Sequence, residues 1–341
     1  MSLWVPILAL GAIILFHELG HFLAARAVGV RVEEFAIGYG PTLARFRRGA
    51  TVYSLRLLLP LGGFVRLAGL DPASAGALDA ASFPHKTVGQ RTGVIAAGSV
   101  MNFLLAVLLF TVVYAGLGIT RPGLRIEQVL EGYPAAQAGI QPGDRVVEVD
   151  GRRLRDWLDL QLTIQRRPGQ DLVLGVDRGG RRLEFRLRPV ATPEGQGLIG
   201  VVPAYEVQRF GVLNSLGRGF RDTLTFTWMW LKGLVQILTG RAAGEVTGPV
   251  GIIQLIGQAA RVGLSQVLFL LGLISTNLAL LNLLPVPGLD GSRLVFLAIE
   301  RVRGRPIDPR HENLVHFLGF ALLMLLVVVL TYRDLARILE G

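Results

Sequence analysis

Two histidines and a glutamate near the start of the chain have a spacing that suits metal chemistry. His17, Glu18 and His21 form a His-Glu-x-x-His sequence, and residues 2–16 before it carry no charge. On an α-helix, positions four apart project from the same face, so the two imidazoles can share one zinc ion. The adjacent carboxylate is then placed to take a proton from water. A chance match on a surface helix would leave three ionisable groups in an apolar run, which is costly unless they bind a metal.

A third protein ligand is needed, because catalytic zinc sites usually have three and leave one position for water. The chain contains no Cys, so the ligand must be a His or a carboxylate. Residues 262–289 are uncharged and end in Pro-Val-Pro-Gly-Leu, directly before Asp290. Prolines lack a backbone donor and break the helix, and broken backbone at membrane depth normally lines a site. We therefore expect Asp290 to complete the ligand set of His17 and His21.

The composition predicts that most of the chain lies in a lipid bilayer. Hydrophobic residues make up 51% of the 341 residues, and the mean hydropathy is +0.49. Lys and Arg number 35 against 25 Asp and Glu, which gives a formal charge of +10. This excess lies in loops beside apolar runs, a pattern typical of cytoplasmic loops facing anionic headgroups. The bilayer is therefore an expected partner, and nucleic acid is not.

Four apolar runs are long enough to predict transmembrane helices. They cover residues 3–27, 92–120, 262–289 and 314–332. A fifth run, residues 223–239, is interrupted by Lys232 and contains two tryptophans, so we expect an interfacial helix there. The first run lacks the basic flank of a signal peptide and contains the candidate ligands, so we expect it to be retained.

Two stretches outside these runs have β-type patterns. Residues 31–67 alternate partially and contain Gly-Pro and Gly-Gly turn signals, which predicts a β-hairpin or meander at the membrane surface. Residues 69–82, rich in Ala, Gly, Ser and Asp, are expected to form a loop. Residues 121–190 contain short β-type runs, and the sequence from 132 to 151 resembles a PDZ domain. PDZ domains bind a peptide by adding it to a sheet edge, so this segment is expected either to bind a peptide ligand or to serve only as a plug or spacer.

The distribution of positive charge predicts the orientation of these segments. Residues 29–91 hold eight Lys or Arg and residues 291–312 hold five, so both are expected in the cytoplasm. The PDZ-like segment then lies outside the cytoplasm. If 223–239 only lies on the membrane, the third helix brings Asp290 to the depth of the two histidines, near the cytoplasmic side.

The predicted fold is thus an α-helical multi-pass membrane protein with four transmembrane helices, a membrane-surface β-hairpin region and one extracytoplasmic PDZ domain. Residues 1–120 are expected to form a first transmembrane pair with the zinc-binding helix and the β region, and residues 121–190 the PDZ domain. Residues 191–261 are expected to form a linker with the interfacial helix, and residues 262–341 a second transmembrane pair with the Asp ligand.

Together these features resemble the site-2 protease family of intramembrane zinc metalloproteases, specifically the bacterial type related to regulator-of-sigma-E protease. The family pattern is His-Glu-x-x-His on the first span, Asn-x-x-Pro-x-Pro-x-x-Asp-Gly on the third, and a PDZ region between the second and third. This chain matches the pattern at His17, Glu18, His21, Asn282, Pro285, Pro287, Asp290 and Gly291. Residues 35–41 and 86–91 also resemble family segments, and Ser99 stands where relatives often have Pro, three residues before Asn102.

The resemblance implies a zinc endopeptidase of the bacterial inner membrane that cuts transmembrane segments of membrane-anchored, single-span proteins. Anti-sigma-factor-like regulators and remnant signal peptides are the implied substrates. Glu18 is the implied catalytic base, with Zn²⁺ held by His17, His21 and Asp290. The implied substrate-binding residues are Asn282, Asn102 and Pro285. Hydrogen bonding between helices is an alternative role for Asn102.

Two other functions compete with this one. A PDZ scaffold or receptor with an inactive metal site is the first, and the intact His17, Glu18, His21 and Asp290 argue against it. The second is a different membrane zinc protease that acts on soluble or lipidated ends. The Asn-x-x-Pro-x-Pro sequence and the PDZ-like segment argue against that protease.

Overall fold

The chain folds into two compact units in a computed structural model that describes residues 4–70, 79–241 and 247–340. One unit combines residues 1–117 with 210–341, and the other comprises residues 118–209. Residues 71–78 of the loop expected at 69–82 lie outside the described residues. The candidate metal ligands all belong to the first unit.

The first unit is mainly helical. Its helices are α1 (Trp4–Ala27), α2 (Val88–Val112), α5 (Val212–Leu238), α6 (Pro249–Val262), α7 (Leu264–Leu281), α8 (Asp290–Arg303) and α9 (Pro309–Glu340). Four helices are long and apolar enough to cross a membrane: Trp4–Ala27, Val88–Leu117, Leu264–Leu281 and Arg310–Leu339. This is the predicted number of apolar helices, in the predicted order.

The third apolar run differs in detail from its prediction. The run expected at 262–289 contains only one long helix, α7, because Gly263 separates it from α6 with a φ of 152°. The helix ends at Leu281, before the prolines, and a new helix starts at Asp290. The uncharged run is therefore a helix followed by a turn, as expected of a sequence in which prolines remove backbone donors.

Glycines allow α1, α2 and α7 to pack closely. A Cβ on Gly20 would lie 2.2 Å from the carbonyl oxygen of Ala97, so α1 meets the backbone of α2 at this point. Gly272 of α7 similarly faces the ring of Phe110 on α2. Small residues at a crossing let helices approach in a bilayer, where hydrophobic burial drives little association. A shared core of Ile13, Leu105, Ile256, Val267 and Leu271 lies between these helices and α6.

The expected β-rich region follows α1 as two long strands, β1 (Val32–Arg48) and β2 (Thr51–Leu67). The first half of β1, residues 32–37, pairs with residues 63–67 on one side and with residues 52–55 on the other. The second half, residues 42–48, pairs with residues 51–56. Glu34 is buried in this sheet, where it accepts hydrogen bonds from Ser54 and Arg56. The region packs on α1 through an apolar core that includes Phe22, Phe35 and Leu67.

Residues 118–209 form a β unit with its own core. Its elements are β3 (Ile119–Val129), α3 (Pro134–Gln137), β4 (Arg145–Val149), β5 (Arg152–Arg153), α4 (Trp157–Gln165), β6 (Leu172–Arg178), β7 (Arg181–Leu187), β8 (Val190–Ala191), β9 (Gly197–Leu198) and β10 (Val201–Gln208). The main sheet has the order β10-β3-β4-β6-β7. Residues such as Ile126, Val146, Leu160 and Leu174 are fully buried beneath it.

The β unit extends beyond the segment predicted at 121–190. The stretch expected to be a linker near 191–210 contains β9 and β10, and β10 pairs with β3 at the other end of the unit. A polar composition suggested a linker, but the pairing of Val201 with Val129 and of Gln208 with Ile119 closes the sheet. The boundary therefore falls at residue 209 instead of 190.

Candidate metal centre and active site

The helix α1 presents His17 and His21 on one face, one turn apart, as their spacing predicts. Their Nε2 atoms lie 3.2 Å from each other. Asp290 Oδ2 lies 3.2 Å from Nε2 of His17 and 3.1 Å from Nε2 of His21. These three side chains are the one His and carboxylate cluster of metal-binding geometry in the part of the chain that the structure describes. The structure thus brings together the three ligands predicted from distant segments.

The triangle of ligand atoms fits a zinc ion. Ligands about 2.0–2.1 Å from zinc in a tetrahedral arrangement are separated from one another by roughly 3.3 Å. The observed separations of 3.1 and 3.2 Å are close to this value. Two imidazole lone pairs and a carboxylate at such distances repel each other unless a cation or protons lie between them. The three ligands leave the fourth position of a tetrahedral site open, as catalytic zinc sites require.

The second nitrogen of His21 is fixed by the backbone of α2. Nδ1 lies 2.9 Å from the carbonyl oxygen of Val94, which can only accept a hydrogen bond. The hydrogen of the neutral ring therefore belongs on Nδ1, which donates it to Val94. The lone pair of Nε2 then faces Asp290 and His17, where a metal would bind.

Gly98 on α2 provides the space for both imidazoles. A Cβ on Gly98 would lie 2.3 Å from His21 Nε2 and 2.7 Å from His17 Cε1. Any side chain here would displace the rings, so the site requires glycine at this position. Sequence reasoning did not assign Gly98 to the metal site.

A tight turn places Asp290 at the start of α8. The backbone N–H of Gly291 donates to the carbonyl oxygen of Asn282 at 2.7 Å. A Cβ on Gly291 would lie 2.0 Å from the carbonyl oxygen of Leu284, so only glycine permits this closure. Gly288, with a φ of 92°, faces the backbone of Gly319 and Phe320 on α9. The turn between α7 and α8 is thus closed on itself and supported by α9.

Glu18 lies beside His17 on α1 and against the β region. A Cβ on Gly63 would lie 3.0 Å from Glu18 Cγ, so β2 covers this carboxylate closely. The hydroxyl of Tyr39 donates to the carbonyl oxygen of Gly63 at 3.1 Å and ties β1 to β2 here. Sequence reasoning missed Gly63 and Tyr39 as neighbours of Glu18. The only available signals were the Gly-Gly and Gly-Tyr-Gly sequences, which indicated turns.

The three predicted substrate-binding residues occupy different surroundings. Asn102 is only 1% exposed, and its amide nitrogen lies 3.4 Å from His17 Nδ1. The side chain of Asn282 is half-buried and makes no hydrogen bond within the described part of the chain, while Pro285 is exposed. Asn282 and Pro285 lie on the turn that leads to Asp290, whereas Asn102 lies on α2. Their roles in substrate binding remain predictions.

Comparison with known proteins identifies the family. The model of Peptidase family M50 matches residues 5–326. The zinc metalloprotease RasP of Geobacillus kaustophilus is 33% identical, with 97% of each chain covered. The regulator of sigma-W protease RasP of Bacillus subtilis is 31% identical, again with 97% of each chain covered. Among solved structures, the PDZ domain of an SdrC-like protein from Listeria innocua is 23% identical, with a TM-score of 0.23 over 26% of this chain and 99% of that one. The chain, with its His-Glu-x-x-His helix and its near full-length relatives, belongs to Peptidase family M50 and is a zinc metalloendopeptidase.

Proposed function

We propose that this enzyme cuts transmembrane segments of membrane-anchored proteins, using His17, His21 and Asp290 as zinc ligands and Glu18 as the catalytic base. The observation that carries the proposal is the set of ligand atoms 3.1–3.2 Å apart among apolar helices, directly beside Glu18. Anti-sigma-factor-like regulators and remnant signal peptides are the proposed substrates. Support for the first class comes from the name of the Bacillus subtilis relative, which describes a regulator of a sigma factor.

Hydrolysis of a peptide bond needs an activated water and a proton for the departing amine. Zinc, when bound, supplies Lewis acidity that lowers the pKa of water towards about 7 and polarises a carbonyl group. The Glu18 carboxylate accepts the proton of the attacking water and then donates it to the leaving nitrogen. The Glu18 carboxylate makes no hydrogen bond within the described residues, so both of its oxygens are available for this transfer.

A transmembrane helix hides its amides in its own hydrogen bonds and must be unwound before it can be cut. Residues 63–67 of β2 pair with 32–37 on one side, and no described strand pairs with their other side. This edge starts at Gly63, next to Glu18. An unwound substrate segment can add to this edge as an extra strand, a common mode of peptide binding. Its backbone would then lie next to the Glu18 carboxylate. The free amide of Asn282 and the adjacent Pro285 are proposed to contact the same segment.

The β unit at 118–209 is proposed to be an extracytoplasmic PDZ domain. Supporting features are the sequence pattern at 132–151, the antiparallel sheet and the helix α4 beneath it. The strand β10 is an edge of that sheet among the described strands, so a peptide ligand can add to it. The cytoplasmic side is proposed for the metal site, on the basis of the positive charge in 29–91 and 291–312.

The decisive experiment separates metal binding from chemistry. Purified enzyme in detergent micelles is expected to hold about one zinc per chain and to cut a model transmembrane peptide. Glu18→Gln should keep the zinc and lose at least about 100-fold in kcat, because only the proton transfer is removed. The double variant His17→Ala with Asp290→Ala should lose the zinc as well.

A matched control is Glu33→Gln, which changes a half-exposed glutamate on β1 outside the site. This variant should keep both zinc and activity. Full zinc occupancy in the double variant would refute the ligand assignment. Normal turnover by Glu18→Gln would refute the role of Glu18.

A further inference from the structure

Asn102 is a buried polar residue without a role in the proton transfer proposed for Glu18. Its side chain is 1% exposed, and within the described residues its Oδ1 has no hydrogen-bond partner. Its Nδ2 lies 3.4 Å from Nδ1 of His17. A buried acceptor without a donor is costly, because its hydration is lost and not replaced. The unpaired Oδ1 therefore points to a partner that the amide can reach.

The ring of His17 needs a hydrogen-bond acceptor at the same place. Its Nε2 lies 3.2 Å from both Asp290 Oδ2 and His21 Nε2, so the lone pair that binds zinc must be on Nε2. A neutral imidazole with a bare Nε2 carries its hydrogen on Nδ1. Nδ1–H then needs an acceptor, and the amide of Asn102 is the group beside it.

A half-turn of the amide satisfies both groups at once. Rotation by about 180° exchanges Oδ1 and Nδ2 of an asparagine with almost no change in shape. After the rotation, Oδ1 of Asn102 faces Nδ1 of His17 and accepts its hydrogen. The acceptor Oδ1 and the donor Nδ1–H then pair with each other, and the amide N–H₂ takes the position that Oδ1 had.

We propose that Asn102 is a positioning residue that accepts a hydrogen bond from His17 Nδ1–H and so fixes the tautomer and orientation of this zinc ligand. The inference rests on the proposed ligand role of His17. The two histidines are then held by different groups: the backbone carbonyl of Val94 accepts from His21, and the side chain of Asn102 accepts from His17. Partners of this kind typically change metal affinity by about 10–100-fold when removed.

One further contact and the burial of Asn102 agree with positioning rather than substrate contact. The carbonyl oxygen of Asn102 accepts a hydrogen bond from Ser275 Oγ at 2.8 Å, which links this level of α2 to α7, the helix before the Asp290 turn. In addition, Asn102 has almost no exposed surface to offer a substrate, whereas Asn282 is half-buried with a free amide. Asn102 thus lies against the proposed ligand His17 of α1 and links α2 to α7.

Three single variants of the full-length protein test the inference. Asn102→Leu keeps the shape of the side chain and removes the acceptor, so the zinc Kd should rise about 10–100-fold. Asn102→Asp keeps an acceptor and adds charge, so its zinc Kd should equal or fall below that of the parent. Asn277→Leu, a half-buried asparagine on α7, is the matched control and should leave the Kd unchanged. Zinc affinity is measured by competition with a fluorescent chelator in detergent micelles.

Steady-state kinetics on a model transmembrane peptide at saturating zinc separate positioning from substrate binding. The inference predicts a KM within about 2-fold of the parent value for Asn102→Leu. A raised KM with normal zinc affinity would overturn the inference in favour of substrate contact. Loss of zinc by Asn102→Asp as severe as that of Asn102→Leu would overturn it in favour of packing. If His17→Ala itself kept full zinc affinity, the proposed metal site would be wrong instead of this inference alone.

Discussion

Individual atoms at the metal site leave no space for alternative side chains. The three ligand atoms are 3.1–3.2 Å apart, and Gly98 lies close enough to both imidazoles that a methyl group would overlap them. Gly291 is equally restricted by the carbonyl oxygen of Leu284. At the residue scale, two glycines therefore control the geometry of the cluster of His17, His21 and Asp290 that is proposed to bind zinc. Catalytic groups depend on such support, because a small displacement costs rate and metal affinity.

Replacing Gly98 by alanine tests this restriction. The added Cβ would lie 2.3 Å from His21 Nε2, so the ring must move and the zinc Kd should rise by about 10-fold or more. Gly93→Ala, five residues earlier on α2, is the control because no atom lies within 4 Å of its Cβ position. This control should bind zinc normally and gain up to about 1 kcal/mol of helix stability. Equal zinc affinity of both variants would show that Gly98 is not needed for ring placement.

At the element scale, ion pairs between half-buried or buried side chains connect separate elements within each unit. In the first unit, Arg91 of α2 pairs with Glu300 of α8, which connects α2 to the helix that begins at Asp290. In the β unit, Asp144 accepts two hydrogen bonds from Arg178, from Nε at 2.7 Å and Nη2 at 2.8 Å. The backbone N–H of Gln141 adds a third at 2.9 Å. These contacts fix the turn between α3 and β4.

The charge of Asp144 makes the stability of the β unit depend on pH. Burial alone raises the pKa of Asp144, but the hydrogen bonds from Arg178 and Gln141 outweigh it and hold the pKa below its ordinary value. A carboxyl whose pKa is lowered by folding contributes stability above its unfolded pKa of about 3.9. That contribution is lost as the pH falls through the lower folded pKa. The β unit should therefore weaken below about pH 4.

Unfolding of residues 118–209 expressed alone measures this contribution. Asp144→Asn should lower the free energy of unfolding by about 2 kcal/mol at pH 7, a typical value for hydrogen bonds to a charged group. The difference from the parent should shrink towards pH 3. Asp171→Asn, which breaks an exposed pair with Arg188, should lower the urea midpoint much less than Asp144→Asn. Identical urea midpoints for Asp144→Asn and the parent at pH 7 would contradict the prediction.

At the scale of the whole molecule, the chain leaves the helical unit after Leu117 and returns to it at Phe210. The two units have separate apolar cores, so the β unit is an insertion between the first and second pairs of long apolar helices. A single long apolar helix, Val88–Leu117, lies in sequence between the β1–β2 region and the inserted unit, so the proposed topology puts these two on opposite sides of the membrane. Charge in the loops supplies the expected direction.

Single cysteines introduced into this Cys-free chain test the orientation. Glu131→Cys, exposed in the β unit, should react with a membrane-impermeant maleimide in intact cells. Ala50→Cys, exposed in the turn between β1 and β2, should react only after the cells are opened. Both positions lie away from the metal ligands, so activity serves as a check on folding. Labelling of Ala50→Cys from outside intact cells would reverse the proposed topology.

The sequence by itself determined the local chemistry of this protein. His17 and His21 share a face because an α-helix repeats every 3.6 residues, and Pro285 and Pro287 end α7 because proline lacks a backbone donor. The membrane helices follow from the length and apolarity of their runs in the same direct way. In each case the determining contacts lie within a few residues along the chain. Composition and spacing were therefore sufficient for the number of apolar helices and for the prediction of zinc chemistry, whereas the family rests on its resemblance to known proteins.

Only the tertiary structure decided what depends on contacts between distant segments. The end of the β unit at residue 209 follows from the pairing of β10 with β3, which no local composition records. The requirement for Gly98 follows from how closely α2 approaches the two histidines, and the covering of Glu18 by Gly63 follows from the packing of β2 on α1. Asn102 meets His17 across 85 positions of sequence. Such distances are set by the packing of whole helices and sheets, which the pattern within one element does not contain.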